Sequence, residues 1–220
     1  MKNDFLHELD RFFSKFRLLH FKKGEAILRP GDVPGGVFYL KKGYVRLYSV
    51  SKNGEELTLI IFKPGDLFPI TWAINDTLNL YFLEAMTVVE VRKAPREGFL
   101  SFARGSPEIY FELSSRMMSR LDGLLRRMEY LVFGNAYAKV ASIILICAER
   151  FGEAGRGGVA IQVPLTHNDV ASLVGVTRET ASVEIKKLKD RGLIANKGKK
   201  IIVKNASGLR KASNIEDITD

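Results

Sequence analysis

The chain is poor in the residues from which redox and metal centres are built. Its 220 residues include one cysteine, Cys147, and three histidines, His7, His20 and His167. A single thiol excludes an intrachain disulfide, a cysteine-ligated iron–sulfur cluster and a zinc site built from thiolates. Cys147 sits in the apolar run Ile143 to Ala148, where a core position is expected. His7 and His20 precede the strand-rich region described below and His167 follows it, so that region is expected to offer no histidine to a haem iron. The sequence also lacks an apolar run approaching the roughly 20 residues that span a bilayer. Asp4, Glu8 and Asp10 stand where a signal peptide has its apolar stretch. A cytoplasmic location with no membrane partner and no cofactor is the expectation. Acidic residues are in shorter supply than basic ones, 25 against 34, for a formal net charge of +9. That balance favours a polyanionic partner, nucleic acid before a membrane surface.

What is present is most informative between Leu165 and Leu193. Thr166 with Asp169 three residues later is a capping-box pattern that starts a helix. Val170, Ala171, Leu173 and Val174 give that helix an apolar face. Gly175 then supplies the left-handed backbone of a tight turn, and Thr177 caps a second helix. Ala181, Ile185 and Leu188 recur at helical spacing and point inward, which places Arg178, Glu179, Ser182, Val183 and Lys186 outward, where they can enter a major groove. From Arg178 to Lys204 there are nine basic residues against three acidic ones. Two strands about Leu193–Ile194 and Ile201–Val203, joined by the basic turn Asn196 to Lys200, read as a wing. Cap, turn, helix and basic hairpin in that order describe a DNA-reading module rather than a merely solvated helix.

Upstream, from Phe21 to about Glu97, short apolar strands alternate with glycine turns: Lys23-Gly24, Pro30-Gly31-Asp32, Lys42-Gly43, Asn53-Gly54 and Pro64-Gly65-Asp66. This is the spacing of an all-β barrel or sandwich. Asn53-Gly54 between Val45–Val50 and Leu57–Phe62 is a hairpin signal. Alternation predicts that Val45, Leu47, Leu57, Leu59 and Ile61 face inward. Phe5, Leu9, Phe12, Phe13 and Phe16 are spaced for an amphipathic helix that packs on the barrel.

Between the two modules, Pro107 opens a helix in which Tyr110, Ser114, Met117, Leu121, Leu124, Met128 and Leu131 follow a 4, 3, 4, 3 spacing. Such a heptad seam predicts a two-stranded contact between identical helices, with Arg116, Arg120, Arg126 and Arg127 on its polar flanks. The pattern breaks at Phe133-Gly134-Asn135, a candidate hinge. A further helix from Ala136 to Arg150 and a flexible glycine loop from Gly152 to Gly158 are expected after it. That loop lacks a following Lys-Ser/Thr and follows a helix rather than a strand, so it is not a phosphate-cradling loop. An enzyme alternative, a cupin-like β-barrel with an accessory nucleic-acid-binding module, needs a His/carboxylate cluster on the strands, and none is seen.

Taken together, Gly24-Glu25, Gly31-Asp32, Phe38-Tyr39-Leu40, Gly43-Tyr44-Val45-Arg46, Pro64-Gly65-Asp66, Ala94 through Phe99, and Leu165-Thr166 through Thr180 resemble the cyclic-AMP-receptor and fumarate-nitrate-reductase (CRP/FNR) type of bacterial transcription regulators. The resemblance implies an α+β chain: an N-terminal β-roll of the cyclic-nucleotide-binding jelly-roll kind over 1–105, a dimerisation helix and hinge over 106–134, and a winged helix-turn-helix over 135–220. It implies a homodimer on a palindromic operator in double-stranded DNA, RNA polymerase as a partner, and no enzymatic activity.

By the same resemblance Arg178 and Glu179 contact base edges and Ser182 is a third contact. Val183 stands where the family usually has a second arginine. Thr166, Thr177, Thr180, Lys186, Lys187, Lys197, Lys199 and Lys200 are assigned to phosphates. Two departures concern the effector. Cyclic-nucleotide-binding relatives hold the ribose with a Gly-Glu pair and the phosphate with an Arg-Ser pair. Here the corresponding stretches read Leu67 to Trp72 and, roughly, Asn79-Leu80-Tyr81. Without the arginine a desolvated phosphate has no charged partner. Cyclic AMP is therefore not the expected effector, and Phe68, Trp72, Tyr81 and Phe82 make either an apolar effector pocket or a filled core.

Overall fold

The computed structural model describes residues 2–198 and 200–213. The chain divides into two compact units: Met1–Ser49 with Leu59–Leu121, and Val50–Thr58 with Asp122–Asp220.

The first unit begins with α1 (Lys2–Phe13) and continues through β1 (Leu18–Phe21), β2 (Ala26–Leu28), β3 (Val37–Lys42), β4 (Val45–Val50), β5 (Glu56–Phe62), β6 (Leu67–Phe68), α2 (Ile70–Asn75), β7 (Phe82–Ala85), β8 (Val89–Ala94) and α3 (Arg96–Arg104) to the long α4 (Pro107–Phe133). The strands form two four-stranded sheets, in the orders β1-β8-β3-β6 and β2-β7-β4-β5. Glycine makes the tight turns possible. Gly43, at φ +87°, is required twice over, because a Cβ there would also lie 2.2 Å from the Val88 carbonyl oxygen.

Phe38, Leu40, Val45, Phe62, Phe68, Leu83, Val89 and Val91 fill one core, with Leu47 and Ile60 packed against it. The inward face expected for β4 is thus correct, but that of β5 is shifted by one residue. Ile60 and Phe62 join this core, whereas Leu57 and Leu59 are half-buried and Ile61 is buried as expected but does not belong to this cluster. A shift of one reverses the face of every residue in a strand, and the polar Glu56 and Thr58 share a side with Ile60 and Phe62, so alternation marked that side as outward. The expected N-terminal helix forms: Phe5, Leu9 and Phe13 are buried in a second core with Tyr39, Leu67, Phe99 and Ile109. His20, expected to precede the barrel, lies within β1, opposite Glu90, and is exposed.

The division between the units falls within α4, after Leu121. Its outward apolar residues include Phe111, Met118, Leu121, Leu125, Met128 and Val132. Ser114, Leu121 and Met128 of the expected seam lie on this stripe, and Tyr110 and Leu124 are exposed beside it. Met117 turns inward and lines a small cleft with Phe5 and Asp66, while Leu131 is only half exposed. Three arginines expected on the flanks are likewise turned inward. Arg116 lies over the Phe5 ring and pairs with Glu112, Arg120 pairs with Asp66 at 2.7 Å, and Arg127 is buried. Burial of an arginine among carboxylate and carbonyl acceptors is invisible to a hydrophobicity pattern, which scores it as a surface residue.

The helix ends at Phe133, and after Gly134 the Asn135 side chain accepts from the Ala138 N–H and caps α5 (Ala136–Phe151). The second unit continues through β9 (Gly152–Gly155), β10 (Gly158–Ile161), α6 (His167–Val174), α7 (Arg178–Asp190), β11 (Ile194–Lys197), β12 (Lys200–Val203) and α8 (Ala206–Ala212). Residues 152–158, expected as a flexible loop, instead form a hairpin in a sheet ordered β11-β12-β10-β9. Its glycines serve close packing: a Cβ on Gly152 would lie 2.0 Å from the Ala148 carbonyl oxygen, and one on Gly158 2.1 Å from that of Val203. Cys147 is buried in α5 as expected, and burial pushes its thiol pKa up to about 12. Among the described residues no helix is long and apolar enough to cross a membrane.

Candidate nucleic-acid interface

The two helices of the DNA-reading module are held at their starts by their own side chains. The Thr166 N–H donates to the Asp169 carboxylate at 2.7 Å, and the Asp169 N–H donates to the Thr166 hydroxyl at 3.1 Å. The capping box is complete. Gly175 ends α6 in the left-handed region at φ +65°, and Thr177 accepts from the Thr180 N–H at 3.2 Å to cap α7. The hydroxyls of Thr177 and Thr180 also lie 2.9 Å apart. The three threonines expected at phosphates are therefore engaged in shaping helix starts.

The underside of α7 is apolar as expected, with Ala181, Ile185 and Leu188 fully buried. On the other side Arg178, Glu179, Val183, Lys186 and Lys187 are exposed. Ser182 is different. It is half-buried, and its hydroxyl lies 2.6 Å from Nδ1 of His167, the first residue of α6. Burial, reinforced by the positive charges of Lys189 and Arg178, lowers the His167 pKa and favours a neutral imidazole. Glu184 is buried on the same helix and accepts from Lys187 Nζ at 2.9 Å, so part of the Lys187 charge is compensated within the helix.

The wing pairs Lys197 with Lys200 across the β11–β12 hairpin. Lys200 donates to the Gln162 side-chain amide oxygen. Lys199, also assigned to a phosphate, lies outside the described residues. Beyond α7, Arg191 lies over the Tyr137 ring and donates to its hydroxyl at 3.2 Å, a contact with no signal in the local sequence.

A buried polar clamp sits behind this surface. Thr58, at the end of the β4–β5 hairpin segment that belongs to this unit, donates its N–H to Ser172 Oγ at 3.0 Å, and the two hydroxyls are 2.7 Å apart. Arg127 donates to the carbonyls of both Thr58 and Leu173. Burial lowers its pKa to about 10, which still leaves it charged at neutral pH. Sequence reading placed Arg127 on a solvated flank and assigned nothing to Thr58 or Ser172.

The four aromatic residues expected around an effector are not brought together. Phe68 is fully buried and packs between Phe38 and Phe62 in the β-roll core. Trp72 packs against the other core of the same unit, with the Arg96 guanidinium over its ring. Phe82 stacks on Tyr48, whose hydroxyl donates to Glu84, itself paired with Arg46 at 3.1 Å. Tyr81 is partly exposed. Asn79, in the stretch compared above with the Arg-Ser pair, donates its amide to the carbonyls of Arg29 at 2.7 Å and Tyr81 at 2.9 Å. It is a buried structural clamp.

Comparison with known proteins agrees with this arrangement. Residues 18–106 match the cyclic nucleotide-binding domain model and residues 138–212 the Crp-like helix-turn-helix domain model. The chain is 28% identical to the global nitrogen regulator of Nostoc over 83% of both proteins. It is 25% identical to the cAMP-activated global transcriptional regulator CRP of Pasteurella multocida, over 89% of this chain and 93% of that one. Among solved structures, a transcriptional regulator of the CRP/FNR family from Thermus thermophilus superposes with a TM-score of 0.71 at 29% identity, covering 91% of this chain and all of the other. FixK2 from Bradyrhizobium japonicum, at 21% identity, shares the fold with a TM-score of 0.79 over 92% and 99% of the two chains. The two curated relatives and the Thermus protein are regulators, which sets aside the β-barrel enzyme. With two such domains in this order along one chain, the protein belongs to the CRP/FNR family of transcription regulators and carries its helix-turn-helix DNA-binding domain.

Proposed function

We propose that the protein is a homodimeric, sequence-specific regulator that reads a palindromic operator through α7 and does so without cyclic AMP. The observation that carries this reading is the outer face of α7. Arg178, Glu179, Ser182 and Val183 lie along one side of a helix whose other side is fixed in an apolar core and whose start is capped. Arg178 can donate two hydrogen bonds to guanine O6 and N7, Glu179 can accept from cytosine N4, and Val183 can meet a thymine methyl. Lys186, Lys187, Lys197, Lys199 and Lys200, with the helix starts at Thr166, Thr177 and Thr180, supply the phosphate contacts that set register without reading sequence.

The exposed stripe Phe111, Met118, Leu121, Leu125, Met128 and Val132 on α4 supports the dimer, because its spacing matches a two-stranded coiled coil and water is a poor solvent for it. Two copies related by a two-fold axis would present their recognition helices to half-sites one DNA turn apart. RNA polymerase is the partner through which such a regulator would act. The packed rings of Phe38, Phe62 and Phe68, and an Asn79 amide committed to backbone carbonyls, favour either no effector or one unlike a cyclic nucleotide.

Selection from a random DNA library by the purified protein, with no added ligand, tests this reading. Recovery of a palindrome with half-site centres about 10–11 base pairs apart is expected. Binding that fades with salt and enriches no motif would overturn it.

A further inference from the structure

We propose that His167 is a positioning residue that fixes the hydrogen-bonding polarity of Ser182, so that Ser182 reads an amino group on a base and not a carbonyl. The inference rests on the reading of α7 as the helix that enters the major groove. A serine hydroxyl has one proton to give, and left alone it rotates to suit either a donor or an acceptor. It therefore discriminates weakly between bases. Here the hydroxyl is not alone: His167 reaches across from the start of α6 and places Nδ1 at 2.6 Å from Ser182 Oγ.

A neutral imidazole carries its proton on one nitrogen only. With the proton on Nε2, Nδ1 is an acceptor and takes the Ser182 O–H. The lone pairs of Oγ are then all that remain for DNA, and they complement the amino groups of cytosine N4 and adenine N6 in the major groove. With a proton on Nδ1 the polarity reverses. Nδ1 donates to Oγ, and the serine O–H is released toward an acceptor such as guanine O6 or thymine O4. α6 packs against α5 and α7, and the charges acting on the imidazole come from Lys189 and Arg178 of α7. Both are positive and oppose an imidazolium, while Asp169 on its own helix is committed to Thr166. The arrangement therefore keeps the imidazole neutral, and in the Nε2–H tautomer that the proposal requires Ser182 is the acceptor toward DNA.

Two measurements test this. The first uses the unmutated protein labelled with 15N-histidine. With only three histidines in the chain, the His167 ring is assigned by its loss in His167→Phe. At pH 7.5 an Nε2-protonated ring with an unprotonated, hydrogen-bonded Nδ1 is expected, and a proton on Nδ1 would overturn the proposal. The second is DNA selection with the wild type, Ser182→Ala, His167→Phe and the double variant. The wild type is expected to prefer cytosine or adenine at one position of each half-site by about fivefold, the value of one net hydrogen bond. His167→Phe should level that one position while leaving the rest of the motif, and should add nothing in the Ser182→Ala background. If Ser182→Ala relaxes a position that His167→Phe leaves intact, His167 has no such role. If the wild type enriches no motif at all, it is the reading of α7 that has failed.

Discussion

The β-roll and the winged helix use their polar side chains in opposite ways. In the β-roll unit several polar groups are turned on the protein itself. Asn79 holds the Arg29 and Tyr81 carbonyls, Asp66 holds Arg120 and the Lys63 N–H, and Arg46 holds Glu84. In the winged helix, Lys187, Lys200 and Arg191 also have internal partners, but Arg178, Glu179, Lys186 and Lys197 remain at the surface. A site that addresses an outside ligand must leave part of its hydrogen-bonding capacity unspent, because a donor already satisfied inside the fold gains little by exchanging partners. By that criterion the exposed side of α7 and the hairpin after it are suited to meet a polyanion.

The comparison can be broken most forcefully in the filled core. Phe68→Ala removes a fully buried ring between two others and is expected to cost about 4 kcal/mol of stability, measured by urea denaturation. A loss below about 1 kcal/mol would mean that the β-roll holds slack, and with it room for an effector. Arg127→Ala should cost about 3 kcal/mol by the same measurement, since it leaves the buried carbonyls of Thr58 and Leu173 without this donor. At the surface, Arg178→Ala is expected to leave stability within about 0.5 kcal/mol. It should weaken the selected operator by about 1–3 kcal/mol and scrambled DNA much less, as gel-shift titrations would show. Equal losses on both would remove its role in base reading. Lys186→Ala should weaken all sequences alike and lower the slope of log affinity against log salt by about one. The smallest effect expected is that of cyclic AMP, which should change neither the melting temperature nor operator affinity. A clear shift in either would show that Asn79 does not exclude the nucleotide phosphate.

Much of this architecture is legible in the sequence, for a reason that also marks the limit. The capping box of Thr166 and Asp169, the cap at Thr177, the turn at Gly175 and the hairpin at Asn53-Gly54 each join residues at most four apart. The backbone geometry they demand follows from the side chains themselves. The inward set Ala181, Ile185 and Leu188 was readable because the opposite face of α7 is polar. Where polar side chains are themselves buried, the pattern misleads. In β5 the polar Glu56 and Thr58 share a side with Ile60 and Phe62, which pack on the core, and α4 turned Met117, Arg116, Arg120 and Arg127 toward protein. Glycine content likewise suggested a loose loop at 152–158, when the absent side chains were making room for neighbouring backbone in a sheet.

The sequence by itself determined the order of modules, the caps and turns, the basic wing and the exclusion of an intrachain disulfide or a multi-thiolate metal centre, because these depend on composition and on neighbours along the chain. Only the tertiary structure decided which polar groups meet. His167 reaches Ser182 across 15 residues, Arg127 reaches Leu173 across 46 and Thr58 across 69, and Thr58 meets Ser172 across 114. Hydrogen bonds are short and directional, so such pairs exist only once packing has brought distant segments within 3 Å of one another, and no local spacing encodes them.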